Sequence, residues 1–201
     1  MKFNPIVKTD PKLIFEFEDV IPDWMQKSGV DQFKNFGFEY NHHGASEDDG
    51  EPYFGKLLYL KQTQTNLAKP HIIMNLLDVI KYDLINKIDK EAKYVDLQRI
   101  AVNGQLPNQS PAKHLDTSND QDLWTAIYYL NDSDGDTVFY HSLKNEQEEV
   151  YRSKFKQGKV TLFHGLFLHQ ALAPQSDWRI TIGISFFMDT KLNNMLSLDL
   201  Q

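Results

Sequence analysis

The chain has 201 residues, 41% hydrophobic and 12% aromatic, which is enough apolar side chain to close one core without cross-links. It contains no cysteine, so disulfide frameworks, thiolate zinc sites, iron–sulfur clusters and cysteine nucleophiles are excluded, and any metal must be held by histidine and carboxylate. A formal charge of -7 without any basic run argues against a nucleic-acid partner, because that affinity rests on clustered lysine and arginine.

No stretch approaches the run of apolar residues that a membrane helix needs, and the N-terminus MKFNPIVKTDPK lacks the apolar segment of a secretion signal. A soluble, cytoplasmic, single-domain protein is therefore expected over 1–201, with helical support over about 1–94 and a β core over about 95–190. Pro22 is placed to start a helix whose apolar face would hold Trp24, Met25 and Phe33. The run NHHGASEDDGEP at 41–52 is polar and acidic and reads as an exposed loop, with a role as a lid over substrate as the functional expectation. From His71 to Ala92, apolar residues recur at steps of three and four (Ile72, Ile73, Leu76, Leu77, Ile80, Leu84, Ile88), the pattern of an amphipathic helix lying on a sheet.

Beyond residue 95 the period changes to two. Strands are predicted at Leu97–Asn103, Leu123–Leu130, Asp136–Tyr140, Lys159–Phe163 and Trp178–Met188, the spacing of a sandwich or jelly roll. Asp134-Gly135, in DSDGD between two of these strands, predicts a tight hairpin turn. The same run does not fit a calcium loop, since its glycine falls at the fourth place and no glutamate follows at the required distance.

His114-Leu115-Asp116 sets an imidazole and a carboxylate two residues apart, so an extended segment turns both to one face. Fifty-three residues after Asp116 comes His169, and ten residues beyond it Arg179 opens the strand RITIGISFF. There Arg179, Thr181, Gly183 and Ser185 alternate with Ile180, Ile182, Ile184 and Phe186, giving one oily face and one small, polar face. Such a polar face suits a cavity for a small dicarboxylate: a cation for the far carboxylate, a hydroxyl beside it, and little bulk. Two imidazoles and one carboxylate cover one face of an octahedron and leave three positions open, the arrangement that activates O2 at Fe(II). His164 competes for the distal position, but it sits at a strand end before Gly165, and His169 has the ten-residue distance to Arg179. His42 and His43 lie in the acidic loop, where exposed histidines usually have no ligand duty, and His71 and His141 have no partner at ligand spacing.

In these pieces the chain resembles the 2-oxoglutarate/Fe(II) dioxygenase superfamily, and within it the prolyl 4-hydroxylase-like branch. The matching segments are HLD at 114–116, WTAIYYLN at 124–131, DGDT at 134–137, GKVTLF at 158–163, and His169 with Arg179. They span about residues 95 to 188; the first 90 residues match only as helical support. The family turn is usually Gly-Gly, and here it reads Asp134-Gly135-Asp136.

The resemblance implies a double-stranded β-helix (jelly roll) supported by α-helices. It implies His114, Asp116 and His169 as iron ligands and Arg179 as the partner of the distal carboxylate of 2-oxoglutarate. Tyr129, Thr181 and Asn103 would contact the co-substrate. The cofactors implied are Fe(II) and 2-oxoglutarate, with ascorbate as an accessory reductant. The expected reaction is O2-dependent hydroxylation of an unactivated C–H bond on a peptide or protein residue, or on a free amino acid or small metabolite. The nucleobase-repair branch carries a second arginine six residues after the first, where this chain has Ser185. A non-catalytic jelly-roll binding module and a cupin-like metalloenzyme without co-substrate are the rival readings.

Overall fold

The computed structural model describes residues 6–7, 11–34, 37–42, 53–117, 120, 122–141, 148–195 and 198–199. Its strands are β1 (Ile6–Val7), β2 (Ile14–Phe17), β3 (Glu39–His42), β4 (Tyr53–Leu60), β5 (Thr65–Asn66), β6 (Lys93–Gln105), β7 (Leu123–Tyr129), β8 (Thr137–Tyr140), β9 (Glu149–Ser153), β10 (Val160–His164), β11 (Leu168–Ala171), β12 (Arg179–Asp189) and β13 (Leu198–Asp199). The larger sheet runs β2-β10-β7-β12-β6-β4-β3, with β5 on β4. A smaller sheet runs β11-β8-β9, and β1 pairs with β13. This is a mainly β jelly-roll architecture with helices carried by the N-terminal part, as the sequence predicts.

Helix α1 (Asp23–Lys34) begins one residue after Pro22 and buries Phe33. Trp24 does not join that face; it is 68% exposed, because it stands on the solvent side of the first turn. Helix α2 (His71–Val79) passes through a π-helical turn (Ile80–Leu84) into α3 (Ile85–Ile88), so the predicted helix ends short of Ala92. Asp89 ends it by turning extended (φ -152°, ψ 115°), and its carboxylate accepts hydrogen bonds from the Glu91 N–H and the Thr190 hydroxyl. No helix among the described residues is long and apolar enough to cross a membrane.

The helices cover one face of the larger sheet. Ile72, Ile73, Leu76, Ile80, Leu84 and Ile85 pack with Ile100, Val102, Ala126, Leu162, Ile182 and Ile184 in one core. Burial at about 1.5–3 kcal/mol per large aliphatic side chain makes this layer the main stabilising one. On the opposite face, Phe139, Phe163 and Phe167 form a smaller cluster with Leu13 and Ile14, against which Ile127 packs, and the β12 positions there are polar or small. Helices on one side and a wall of small and polar side chains on the other are what the alternation of β12 dictates.

Two features depart from the predicted order. The N-terminal part supplies strands as well as helices, since β2, β3 and β4 join the larger sheet and β4 lies along β6. The Asp134-Gly135 segment is not a hairpin: β7 pairs with β10 and β12, β8 with β9 and β11, so the turn carries the chain from one sheet to the other. Its groups are used elsewhere, because the Asp134 carboxylate accepts from the Gln175 N–H and the Gly135 carbonyl from Arg179. The lid expected at 41–52 falls, beyond the His42 end of β3, outside the described residues.

Gly158 precedes β10 at φ +81°, where an added Cβ would lie 2.4 Å from Gln26 Oε1. Gly158→Ala is expected to lower stability by roughly 1–2 kcal/mol from backbone strain alone, measured as a shifted denaturant midpoint with an unchanged slope.

Candidate metal centre and anion cavity

Strand register builds the site. Gln105 pairs with Arg179; Asn103 pairs with Thr181, which pairs with Tyr129; Ala101 with Gly183 and Ile127; Arg99 with Ser185 and Thr125. Directly opposed residues of an antiparallel pair share a face, so these rows form one inner wall. Tyr53 of β4 stands on the same side and is buried.

His114 and His169 face each other across an isolated antiparallel bridge in which each backbone N–H donates to the other's carbonyl at 3.0 Å. Their ring centroids are 4.4 Å apart. His114 Nδ1 lies 3.1 Å from the Ala112 carbonyl and His169 Nδ1 2.9 Å from that of Phe167. Both contacts favour the tautomer that leaves Nε2 free as a ligand atom. Asp116 enters from the His114 segment; its Oδ2 accepts from the Thr125 hydroxyl at 2.6 Å, and its Oδ1 lies 3.7 Å from His114 Nε2. One ligand atom from each of His114, Asp116 and His169 falls within a common 4.8 Å, so the three residues can hold one metal ion.

The electrostatics agree with that duty. Burial, with the His114 imidazole adding to it, pulls His169 down to about 4 from its ordinary 6.5, so the ring is neutral at neutral pH and its lone pair is available. Burial alone would raise Asp116, but the two imidazoles, the Thr125 hydroxyl and Arg99 outweigh it and hold the carboxyl below its usual range. His164 takes no part. It lies in the apolar layer with its ring edge-on to Trp124, and its Nδ1 caps the turn by accepting from the Leu166 N–H.

Arg179 is buried to 2% exposure. Its Nε donates to the Gly135 carbonyl at 2.8 Å, Nη1 to Gln105 Oε1 at 2.7 Å and Nη2 to Thr137 Oγ1 at 2.9 Å. Among the described residues no carboxylate lies within ion-pair distance of it. Burial lowers its pKa to about 10, which still leaves it charged at neutral pH. A buried cation surrounded by neutral acceptors keeps donor capacity and charge for an anion. Beside it, the Tyr129 hydroxyl lies 3.0 Å from Thr137 Oγ1 and 2.8 Å from Ser153 Oγ, and Phe155 stacks on the Tyr129 ring at 4.4 Å. The Asn103 side-chain oxygen is buried with no hydrogen-bond partner among the described residues. At Gly183 an added Cβ would meet only the Ala101 carbonyl, at 3.9 Å, so the wall there is open.

All seven predicted site residues thus stand on this inner wall or in the His114/Asp116/His169 group. Sequence reasoning missed Thr125, which fixes Asp116; Gln105, Thr137 and Gly135, which fix Arg179; and Tyr53. Thr125 was within reach, because it shares the two-residue alternation of β7 with Tyr129. A Cβ on Gly135 would sit 2.8 Å from Arg179 Cδ and 2.7 Å from the Leu172 carbonyl, so the glycine lets the turn close over the arginine.

No family model and no curated protein matches the chain. Solved structures match its fold. A Pseudomonas putida prolyl-4-hydroxylase is 14% identical with a TM-score of 0.57, over 87% of this chain and 92% of that one. A 2OG-Fe(II) oxygenase family oxidoreductase from Burkholderia pseudomallei is 16% identical with a TM-score of 0.62, over 88% and 85%. The epimerase SnoN, solved with Fe3+, alpha ketoglutarate and nogalamycin RO, is 12% identical with a TM-score of 0.60, over 87% and 78%. The fold is therefore the one shared by prolyl hydroxylases and other 2OG-Fe(II) oxygenases.

The pH dependence follows from these shifts. Between about 6.5 and about 4 the unfolded chain takes up a proton at His169 that the native state refuses, so native stability falls as pH drops through that window. The lowered Asp116 has the same sign, because the native state again holds fewer protons. Metal-free protein is expected to lose denaturant stability steadily below pH 6.5, and His169→Gln to flatten the slope.

Proposed function

We propose that the protein is an Fe(II)- and 2-oxoglutarate-dependent oxygenase that hydroxylates an unactivated C–H bond. The observation that carries this reading is the buried guanidinium of Arg179, without a carboxylate partner among the described residues, on the same inner wall as the His114/Asp116/His169 group. Two imidazoles and a carboxylate fit Fe(II), and the wall between them and Arg179 (Thr181, Asn103, Gly183) fits the body of a small keto diacid. When bound, the iron and 2-oxoglutarate supply the oxidising chemistry, with ascorbate as an accessory reductant.

The residues of the chain bind, orient and shield. The backbone carbonyls of Ala112 and Phe167 fix the imidazole rings, and the Thr125 hydroxyl fixes the Asp116 carboxylate, so the ligand set is preorganised. Arg179 holds the far carboxylate of 2-oxoglutarate, with Thr181, Tyr129 and Asn103 as hydrogen-bonding neighbours. Phe155 covers that end against water, 5.3 Å from the guanidinium carbon.

For the substrate, a peptide or protein residue hydroxylated in the manner of prolyl hydroxylases is one reading, supported by the fold neighbours bearing that name. A small molecule is the second, and the partly buried Arg99 favours it.

Protein loaded anaerobically with Fe(II) and 2-oxoglutarate is expected to develop a weak visible charge-transfer band and, in air, to release succinate. Arg179→Leu is expected to raise the 2-oxoglutarate KM on the order of 100-fold, the loss of a charge-assisted double hydrogen bond. A folded Arg179→Leu protein with an unchanged KM refutes the assignment. Thr125→Val is expected to lower Fe(II) affinity by about 10- to 100-fold while leaving the melting temperature of the metal-free protein nearly unchanged, as read by chelator competition.

A further inference from the structure

The chain has three arginines. Arg152 is ion-paired with Glu149 and Asp136, and Arg179 is held by Gln105, Thr137 and Gly135. Arg99 is partly buried, and among the described residues no group hydrogen-bonds or ion-pairs with its guanidinium. A chain with 28 acidic and 21 basic side chains has no shortage of carboxylates for it.

The place of Arg99 is set by register. It opposes Ser185 on β12, which opposes Thr125 on β7, and Thr125 holds the Asp116 carboxylate. Ala101, Asn103 and Gln105 continue the same face of β6, while Ile100 and Val102 point to the helix layer. Arg99 therefore stands on the inner wall, at its metal end and three rows from Arg179. Two strand spacings separate its backbone from that of Thr125, about 10 Å. Its charge is felt by the Asp116 carboxyl and by the buried Tyr53 phenol.

A tally of charge gives the anion it lacks. The carboxylate of Asp116 offsets Arg179, and a divalent metal offsets the two carboxylates of 2-oxoglutarate. Arg99 is left as a single positive charge in a partly dehydrated cavity, where an uncompensated cation costs more than at the open surface.

We propose that Arg99 is the substrate anchor, and that the primary substrate is a small molecule whose carboxylate pairs with this guanidinium while a nearby C–H lies at the metal end. This rests on the oxygenase reading and narrows its substrate class. The carboxylate and the reacting carbon then lie within the reach of one side chain, the dimensions of an amino acid rather than of an internal peptide residue, whose carboxyl is an amide. Arginine suits the task because its planar fork grips a carboxylate through two hydrogen bonds.

The test is titration calorimetry on protein loaded anaerobically with Fe(II) and 2-oxoglutarate, using L-proline, L-leucine, L-aspartate and N-acetyl-L-proline, each beside its primary amide. At least one acid is expected to bind and its amide to bind on the order of 10- to 100-fold more weakly. Arg99→Gln should erase that difference with the 2-oxoglutarate affinity within about threefold of wild type, and Arg99→Lys should restore part of it; these ratios are expectations from the strength of charge-assisted hydrogen bonds. Acid and amide binding alike, no acid binding, or an acid preference that survives in Arg99→Gln overturns the anchor while 2-oxoglutarate binding still stands. An Arg99→Gln protein that loses 2-oxoglutarate affinity also overturns it, because the guanidinium would then hold the keto-acid end of the co-substrate. Should Arg99→Gln fail to fold, the wild-type acid-to-amide ratio and the Arg99→Lys protein decide. Wild-type protein that takes up no 2-oxoglutarate at all overturns the oxygenase reading, and this proposal with it.

Discussion

The two-residue alternation of β12 is the constraint on which the rest of the structure depends. A strand has two faces and no third option, and here Ile180, Ile182, Ile184 and Phe186 take one while Arg179, Thr181, Gly183 and Ser185 take the other. The oily face is buried under the α2 and α3 helices and carries most of the hydrophobic stabilisation. That burial offsets what the polar face forgoes, since a cavity wall of glycine, serine and threonine buries little apolar area. Had both faces been oily, the two sheets would have closed on each other and left no space for a ligand.

Inside that space the charges are arranged to need visitors. Burial neutralises His169, and its own neighbours keep Asp116 ionised. These are opposite responses to one environment. For the His169 imidazole, burial, with His114 and Arg179 adding to it, outweighs the neighbouring Asp116 carboxylate and removes the proton, whereas for Asp116 the surrounding hydrogen-bond donor and cations outweigh burial and keep the charge. The result is a donor set with a neutral His169 and an anionic Asp116 at one end and a guanidinium at the other. Neither end is a closed structural site. Among the described residues no fourth side chain completes the metal group, and neutral acceptors hold the guanidinium in place without cancelling it.

What was legible in the sequence is what is local. Arg179 to Phe186 and Tyr129 could be placed on faces because period two is written in the strand itself, and the amphipathic helix from His71 is written at period 3.6. The departures come from long-range pairing. β4 was missed because its sequence YFGKLLYL does not alternate apolar and polar residues, and its partner β6 begins more than thirty residues later. The Asp134-Gly135 turn has a hairpin's composition, but whether a turn joins two strands of one sheet or crosses to another depends on partners elsewhere: β10 and β12 claim β7, and β9 and β11 claim β8. The His114–His169 bridge is of the same kind, since residues 55 apart in number become direct neighbours only once the two segments meet. Thr125, Gln105 and Thr137 are ordinary strand residues until the register shows that the first hydrogen-bonds Asp116 and the other two Arg179.

The two guanidiniums on the inner wall differ in a way that matches two kinds of ligand. Arg179 is fixed by three acceptors from two segments and fully buried, so its geometry is set before any ligand arrives and little rotamer entropy remains to be lost. Such an anchor suits a molecule that is the same in every turnover. Arg99 is partly exposed and without such fixings among the described residues, so it retains the freedom to adjust and to release what it holds. A product must leave after every cycle, and a fully desolvated, rigid ion pair would slow that step. On the proposed reading, the difference in burial between the two arginines divides the wall into a permanent end for a dicarboxylate co-substrate and an exchanging end for a carboxylate-bearing substrate, with Asp116 and the two imidazoles beside the exchanging end.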